Sequence, residues 1–325
     1  RDISDPHTIE EAVDVIKTAE RLRDLYVLTV ADISTTSPTA MTSWKANMLE
    51  ALYFAVSDAI QTANPWSGER RAEAMREELI QSCEKESRAE VETLVQAMPD
   101  RYVLANTFAA IRDHAHAFKA REGQRVHVAV RQGPAPDIDE LMIVTDDQPG
   151  LLANIAAVLS GHRLDVTAAQ IYTVELGEQR VAFDIFHVRA SRKLVPSLIT
   201  RLVRDIEALL SGALTAEVLL KRRASSPPWA TRKEPEVPIE IHINNQASSR
   251  FSVVDIFTRD HPGLLYAIAH VLHQHGLSIA LSKLSTEGRR VADVFYVRDF
   301  SGKKLEDPEK IARLEEELRA ILSAL

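Results

Sequence analysis

Asp147–Leu159, DQPGLLANIAAVL, returns more than a hundred residues later as Asp260–Leu272, DHPGLLYAIAHVL. Each copy is an acid, a Pro-Gly turn and an apolar helix. Proline suits an early helical position, and glycine lets the backbone turn tightly or come close to something. Around the first copy, DELMIVTD, LDVTAAQIYTVE and QRVAFDIFHVR read as strands, and LVPSLITRLVRDIEALLSG follows as a helix. Around the second, RFSVVDIFTRD, LSIALSKLST, RRVADVFYVRD and the terminal PEKIARLEEELRAILSAL repeat that order. Placing Pro149 on Pro262 also puts Leu164 on Leu277, Asp165 on Ser278 and Val166 on Ile279, with the following hairpin three residues shorter in the second copy. An internal duplication is the simplest account.

The order strand, helix, strand, strand, helix, strand is that of a ferredoxin-like sandwich, an antiparallel sheet covered on one face by two helices. What precedes it is helical. Val15, Ile16, Ala19, Leu22, Leu25, Tyr26 and Thr29 predict one helix from Pro6 to about Ile33, and Trp44, Met48, Leu52, Val56 and Ile60 predict another over Ser43–Ala63. Glu69–Met98 reads as one long helix or two shorter ones, and a further helix follows MPDRY. At QRVHVAVRQG the period changes from 3.6 to 2, which sets the first boundary. The Ser/Pro-rich KRRASSPPWATRKEPEVP, residues 221–238, reads as a linker. The predicted fold is α+β: a helical segment over residues 1–122, a first βαββαβ domain over 123–222, a linker leading into the second repeat over 223–249, and a second βαββαβ domain over 250–325.

Composition narrows the function. The net charge of −8, from 39 Lys+Arg against 47 Asp+Glu, disfavours nucleic acid as a partner. Cys83 is the sole cysteine, so there is no internal disulfide framework and a reducing cytoplasm is expected. No run approaches the ~18–20 apolar residues that span a bilayer, so no membrane role is expected. The chain opens RDISDPHTIEEAV without an initiator methionine, which predicts a longer natural protein. No GxxxxGK or GxSxG motif is present, and no catalytic residue is assigned to this chain.

The two turns are the candidate effector sites: Asp147, Gln148, Pro149, Gly150, Leu151 and Leu152 in the first, Asp260, His261, Pro262, Gly263, Leu264 and Leu265 in the second. N–H groups at a helix start suit a carboxylate such as an amino acid's, and the acid suits its ammonium. The structural alternative is that each Asp caps its helix and the leucines are core. Arg163 stands where the second copy has Gly276, so the first helix is expected to end differently, through Gly161. His114 and His116 are two apart and diverge on a helix. His270 and His273 share a face, but without a third ligand they read as a solvated helix side.

These residues carry a resemblance. Both repeats look like ACT domains, amino-acid-sensing modules marked by an Asp-x-Pro-Gly-Leu-Leu turn, over roughly residues 138–222 and 250–325. With LYVLTVADISTTSPTAMTSWKANMLEALY and MPDRYVLANTFAAIRDHAHAF before them, the whole chain resembles the C-terminal part of the bacterial PII uridylyltransferase/uridylyl-removing enzyme family. That family runs nucleotidyltransferase, HD phosphohydrolase and two ACT domains. The resemblance implies that the complete enzyme moves UMP from UTP to a tyrosine of its partner, the PII signal protein, and hydrolyses it off again. It implies a divalent metal, Mg or Mn, with Asp32 as the last ligand of the HD site, and glutamine as the effector at the turns. It further implies that this chain alone lacks the transferase site and most of the HD ligands. The other reading is a stand-alone amino-acid-binding ACT regulator without catalytic activity; an HD hydrolase with ACT domains and no transferase is a third. The upstream sequence separates them.

Overall fold

The computed structural model describes residues 6–36, 43–62, 68–133, 136–177, 179–190, 194–224, 237–284, 286–287 and 290–325. The chain forms two units: Arg1–Lys119 with Ala247–Arg250, and Ala120–Gln246 with Phe251–Leu325. The side chains of Trp44 and Met48, and most of the 221–238 stretch, lie outside the described residues.

The first unit is helical: α1 (Pro6–Ile16), α2 (Ala19–Thr36), α3 (Ser43–Thr62), α4 (Gly68–Ser82), α5 (Lys85–Ala97), α6 (Asp100–Ala105) and α7 (Phe108–Ala120), the last crossing the boundary. The single helix expected over Pro6–Ile33 is two. Lys17 takes a left-handed φ of 66°, and the Thr18 hydroxyl then caps α2 by accepting from the N–H of Arg21. The break redirects the apolar stripe: Ile9 and Leu22 join Ala55 and Val56 in a core, whereas Val15 and Leu25 are exposed. The Glu69–Met98 stretch resolves into the shorter pair α4 and α5. Arg76 binds the carbonyl oxygens of Val95 and Met98 and pairs with Asp100, tying α4 to the end of α5.

The second unit begins with β1 (Val126–Gln132), β2 (Ile138–Asp146), α8 (Leu151–Gly161), β3 (Leu164–Leu176), β4 (Gln179–Ala190), α9 (Pro196–Leu210) and α10 (Ala216–Ala224). It continues with β5 (Glu240–Asn244), β6 (Ser252–Arg259), α11 (Leu264–Gln274), β7 (Leu277–Lys283), β8 (Thr286–Glu287), β9 (Arg290–Asp299) and α12 (Pro308–Ala324). The spatial order within each repeat is ferredoxin-like, β1-β2-β4-β3 and β7-β9-β6-β5. The chain order differs in one respect, since the strand that βαββαβ places last comes first. A short antiparallel hairpin sets β1 beside β2, and β5 beside β6, filling the edge position before the helices are made. β5 lies within the 223–249 stretch.

The two repeats share one sheet. β3 and β7 run antiparallel, with Ala169 opposite Ser282 and Gln170 opposite Leu281. Ala169 and Ser282 occupy equivalent positions in the duplication, so an approximate two-fold axis passes through this pair. The equivalence extends to detail: β3 is irregular between Val166 and Ala168, and β7 at the matching Ile279 and Leu281. Leu164 pairs with Ala190, 26 residues on, and Leu277 with Asp299, 22 residues on, so the second hairpin is shorter by four residues rather than three.

One face of the sheet carries the helices. Leu141, Ile143, Phe186 and Val188 meet Leu151, Ile155, Val158 and Leu159 of α8 and Leu202 and Ile206 of α9. Val254, Ile256, Phe295 and Val297 meet α11 and Leu314, Leu318 and Leu322 of α12. Ala153 and Ala156 of α8 belong to this second core, so the repeats share apolar contacts as well as a sheet. Each such fully buried Leu, Ile or Phe contributes about 1.5–3 kcal/mol.

Candidate functional site

Both Pro-Gly turns are built alike. Gly150 has φ +76° and Gly263 φ +86°, the left-handed region that a side chain resists, and each is the N-cap of the helix it opens. Neither helix start has a side-chain cap hydrogen bond. Asp147 therefore does not cap α8, contrary to the structural alternative drawn from sequence. α12 provides the contrast, because Asp307 there accepts from the N–H groups of Glu309 and Lys310. Asp147 instead pairs with Arg180 at 2.8 Å and accepts from the Thr173 hydroxyl at 3.2 Å, while its own N–H donates to the Arg180 carbonyl. Its carboxylate ties the turn to the β3–β4 hairpin. The neighbouring Asp146 pairs with Arg121.

The remaining turn residues divide by burial. Leu151, Leu264 and Leu265 are buried core and Leu152 is half-buried against it; Gln148, Gly150, His261 and Gly263 are half-buried; Pro149, Pro262 and Asp260 are exposed. His261 places Nδ1 3.0 Å from the Pro262 carbonyl oxygen.

Each turn is closed by the other repeat's helix. A Cβ at Gly150 would lie 3.2 Å from Cδ2 and 3.3 Å from Nε2 of His273 on α11. A Cβ at Gly263 would lie 3.7 Å from Oγ of Ser160 on α8, and Ser160 is the residue equivalent to His273. The second turn also meets Leu220 of α10 at 3.3 Å. α10 can approach because Gly161 carries no side chain: a Cβ there would stand 3.1 Å from both Cβ and the carbonyl oxygen of Leu219. Gly161 thus serves close packing and not the helix exit. The exit is made by Arg163 itself, at φ 61°, against 72° for Gly276. Arg163 donates its N–H to Ser160 and Gly276 to His273, both at 2.9 Å, so one backbone solution is kept with two residue types.

The histidines separate. His273 sits at Gly150 with its ring 5.7 Å from that of Phe300, and burial, with His270 adding to it, lowers its pKa. His270 stacks on Tyr266 at 5.4 Å, and His275 lies 2.7 Å from Glu317. They are half-buried and engaged in three ways, not a solvated helix side. Sequence reasoning missed His162, whose Nε2 lies 2.9 Å from Asp205 as the counterpart of His275 and Glu317. In both repeats this clasp fastens the end of the first helix to the second. Also missed was Asp184, 1% exposed in β4 on the helix face, with Asp293, 3% exposed, as its counterpart. Aligning the repeats past the hairpin would have found both pairs.

In the first unit, His114 is buried and joined to the Tyr102 hydroxyl at 2.8 Å, whereas His116 is exposed beside Glu90. Asp32 lies exposed near the end of α2, where the Thr35 hydroxyl donates to the carbonyl oxygens of Ala31 and Asp32. Among the described residues no three His, Cys, Asp or Glu gather as a metal-binding group, at Asp32 or elsewhere. Nor is any helix of the described residues long and apolar enough to cross a membrane.

Residues 240–324 match the family described as ACR9-like, ACT-like domain. The chain is 31% identical, over 99% of its length, to the bifunctional uridylyltransferase/uridylyl-removing enzyme of Rhodospirillum rubrum, covering 35% of that protein. It is 31% identical over its whole length to the Gluconobacter oxydans enzyme of the same name, and 32% over 98% of its length to that of Azospirillum brasilense, covering 35% and 34% of them. The chain therefore spans about a third of the length of these curated relatives. By these matches the chain is similar along its entire length to the bifunctional uridylyltransferase/uridylyl-removing enzymes, and its second repeat is similar to an ACT-like domain.

Proposed function

We propose that this chain is the regulatory part of a cytoplasmic enzyme that adds UMP from UTP to a tyrosine of PII, releasing diphosphate, and removes it by hydrolysis, with glutamine as the effector. The observation that carries this reading is the reciprocal closure of the two turns, Gly150 against His273 and Gly263 against Ser160, within one shared sheet. A ligand at either turn must be accommodated by the other repeat's helix, so occupancy bears on the whole pair. Two uncapped helix starts supply N–H groups for a carboxylate.

The sites are unequal. The first, Asp147–Leu152, faces the neutral form of His273; the second, Asp260–Leu265, has Leu220 of α10 set against its glycine. The first is the one we assign to glutamine. Coupling between effector and activity is typically 1–3 kcal/mol, or about 5–150-fold in the balance of two states. The groups for UMP transfer, with their Mg or Mn, belong to the rest of the enzyme, and Asp32 would be one ligand of the hydrolytic metal, completed by residues outside this chain.

Calorimetry of the chain against the twenty amino acids tests the sensor. Glutamine should give saturable heat, and Gly150→Ala should remove it more completely than Gly263→Ala. In the complete enzyme, glutamine should shift the balance from UMP addition toward removal on PII. Heat from no amino acid, with an unshifted balance, would exclude the reading.

A further inference from the structure

Asp184 is expensive where it stands. It lies between Ile143 of β2 and Ile171 of β3, on the face that carries Phe186 and Val188 against the helices. Its Oδ1 has no hydrogen-bond partner among the described residues. An ionised carboxylate there would cost far more than a valine or isoleucine of similar volume. Burial accordingly pushes its pKa well above the carboxylate range, the charge of Asp147 adds to this, and the N–H of Tyr172 opposes it in part. A buried acid with an unused oxygen is poorly explained by packing, and the equivalent position of β9, beside Ile256 of β6, again holds a buried acid, Asp293.

Its position supplies the explanation. The next residue of β4 on the same face, toward the turn, is Ala182, flanked by Thr145 and Thr173. Thr173 is the residue that holds Asp147. From that level to Asp184 is about 7 Å, two strand residues. Along the sheet, that separation matches a small zwitterion with a charge-assisted hydrogen bond of about 2.8 Å at each end. A methyl side chain at Ala182 is the smallest obstacle a residue other than glycine offers.

We propose that Asp184 is the counter-ion for the ammonium group of an α-amino acid whose carboxylate is held at the start of α8, and that Asp184 gives up its proton to solvent as the ligand binds. This rests on the reading of the first turn as an effector site. The charges balance: a neutral acid and an ammonium become a carboxylate–ammonium pair and one released proton. The groups around Asp184 permit it. α8 carries no titratable residue over Leu151–Gly161. α9 presents Leu202 and Ile206, with its Asp205 held by His162. β2 and β3 present Ile143, Thr145, Ile171 and Thr173. Asp147 is paired with Arg180, and His273 at Gly150 has a lowered pKa. Affinity should therefore rise with pH until the free carboxyl itself ionises.

The test is calorimetry of the 325-residue chain with glutamine at pH 7 in phosphate and in Tris, whose ionisation heats differ widely. The expected result is a buffer-dependent heat that reports net proton release on binding. Asp184→Asn should abolish the buffer dependence and weaken glutamine by about 10–100-fold. Glutaramate, which keeps the carboxylate and amide but lacks the ammonium, should bind both proteins alike and release no proton. Glutamine heat that is the same in both buffers would overturn the role of Asp184 and leave the effector site standing; this readout needs only the unaltered chain if the variant does not fold. No heat from any amino acid would overturn the effector reading and this inference with it.

Discussion

Replacing Gly150 by alanine should cost stability in two separable parts. The first is conformational: at φ +76° a Cβ meets the backbone, about 1–2 kcal/mol, offset by the roughly 0.5–1 kcal/mol that alanine recovers from a less free unfolded chain. The second is the approach to His273, 3.2 Å from Cδ2, tighter than ordinary van der Waals contact at about 3.5–4.0 Å. Gly177 isolates the first part, because it has φ +62° with nothing within 4 Å of an added Cβ. Gly177→Ala should cost about 0.5–1 kcal/mol and Gly150→Ala about 1–3 kcal/mol. Pairing Gly150→Ala with His273→Ala should return the difference, a coupling of about 0.5–2 kcal/mol. Urea unfolding read through amide exchange of β2 and β4 follows the second unit separately from the helices. If Gly150→Ala cost no more than Gly177→Ala, or His273→Ala failed to relieve it, α11 would not close the first turn.

Arg163→Gly should stabilise by about 0.5–1 kcal/mol, since it relieves the left-handed φ of 61° at the cost of glycine's chain freedom, and a rise in urea midpoint would register it. Asp307→Ala should cost about 1 kcal/mol by uncapping α12, measured by the same unfolding curve. The pH dependence of Asp184 has a definite sign. Its folded pKa is raised, so its contribution is full below the unfolded carboxyl pKa and is lost as pH rises toward the folded one. Asp184→Asn should therefore gain melting temperature relative to the unaltered chain as pH rises from about 4 to 8; a difference independent of pH would mean that the carboxyl is ionised in the fold.

The parts of this architecture written in local sequence were legible. Pro149-Gly150 and Pro262-Gly263 mark their turns because few residues tolerate that backbone, and the strands show in their alternation. What escaped depends on partners distant in the chain. The pairing of β3 with β7 is made by backbone groups and leaves no side-chain signature. His162 and Asp205 meet across 43 residues. Arg163 misled because glycine is the cheaper occupant of its φ, yet the surrounding helix and strand hold arginine there. Val15 misled in the opposite way: it has the spacing of a buried stripe, but Lys17 turns the chain before that stripe is complete. At the candidate site the motif identified the turn, while the groups that could discriminate a ligand, Asp184 and His273, come from another strand and another repeat.

The seam between β3 and β7 also bears on cell physiology. Modules that must find a second copy before they form a paired site report their own abundance along with their ligand, because dilution separates them. Here both halves are synthesised together, and the local concentration of one repeat about the other, of millimolar order for a short connection, does not change with expression level. A sensor of the proposed kind, built this way, would answer to its ligand alone, whether the cell holds many copies of the protein or only a few.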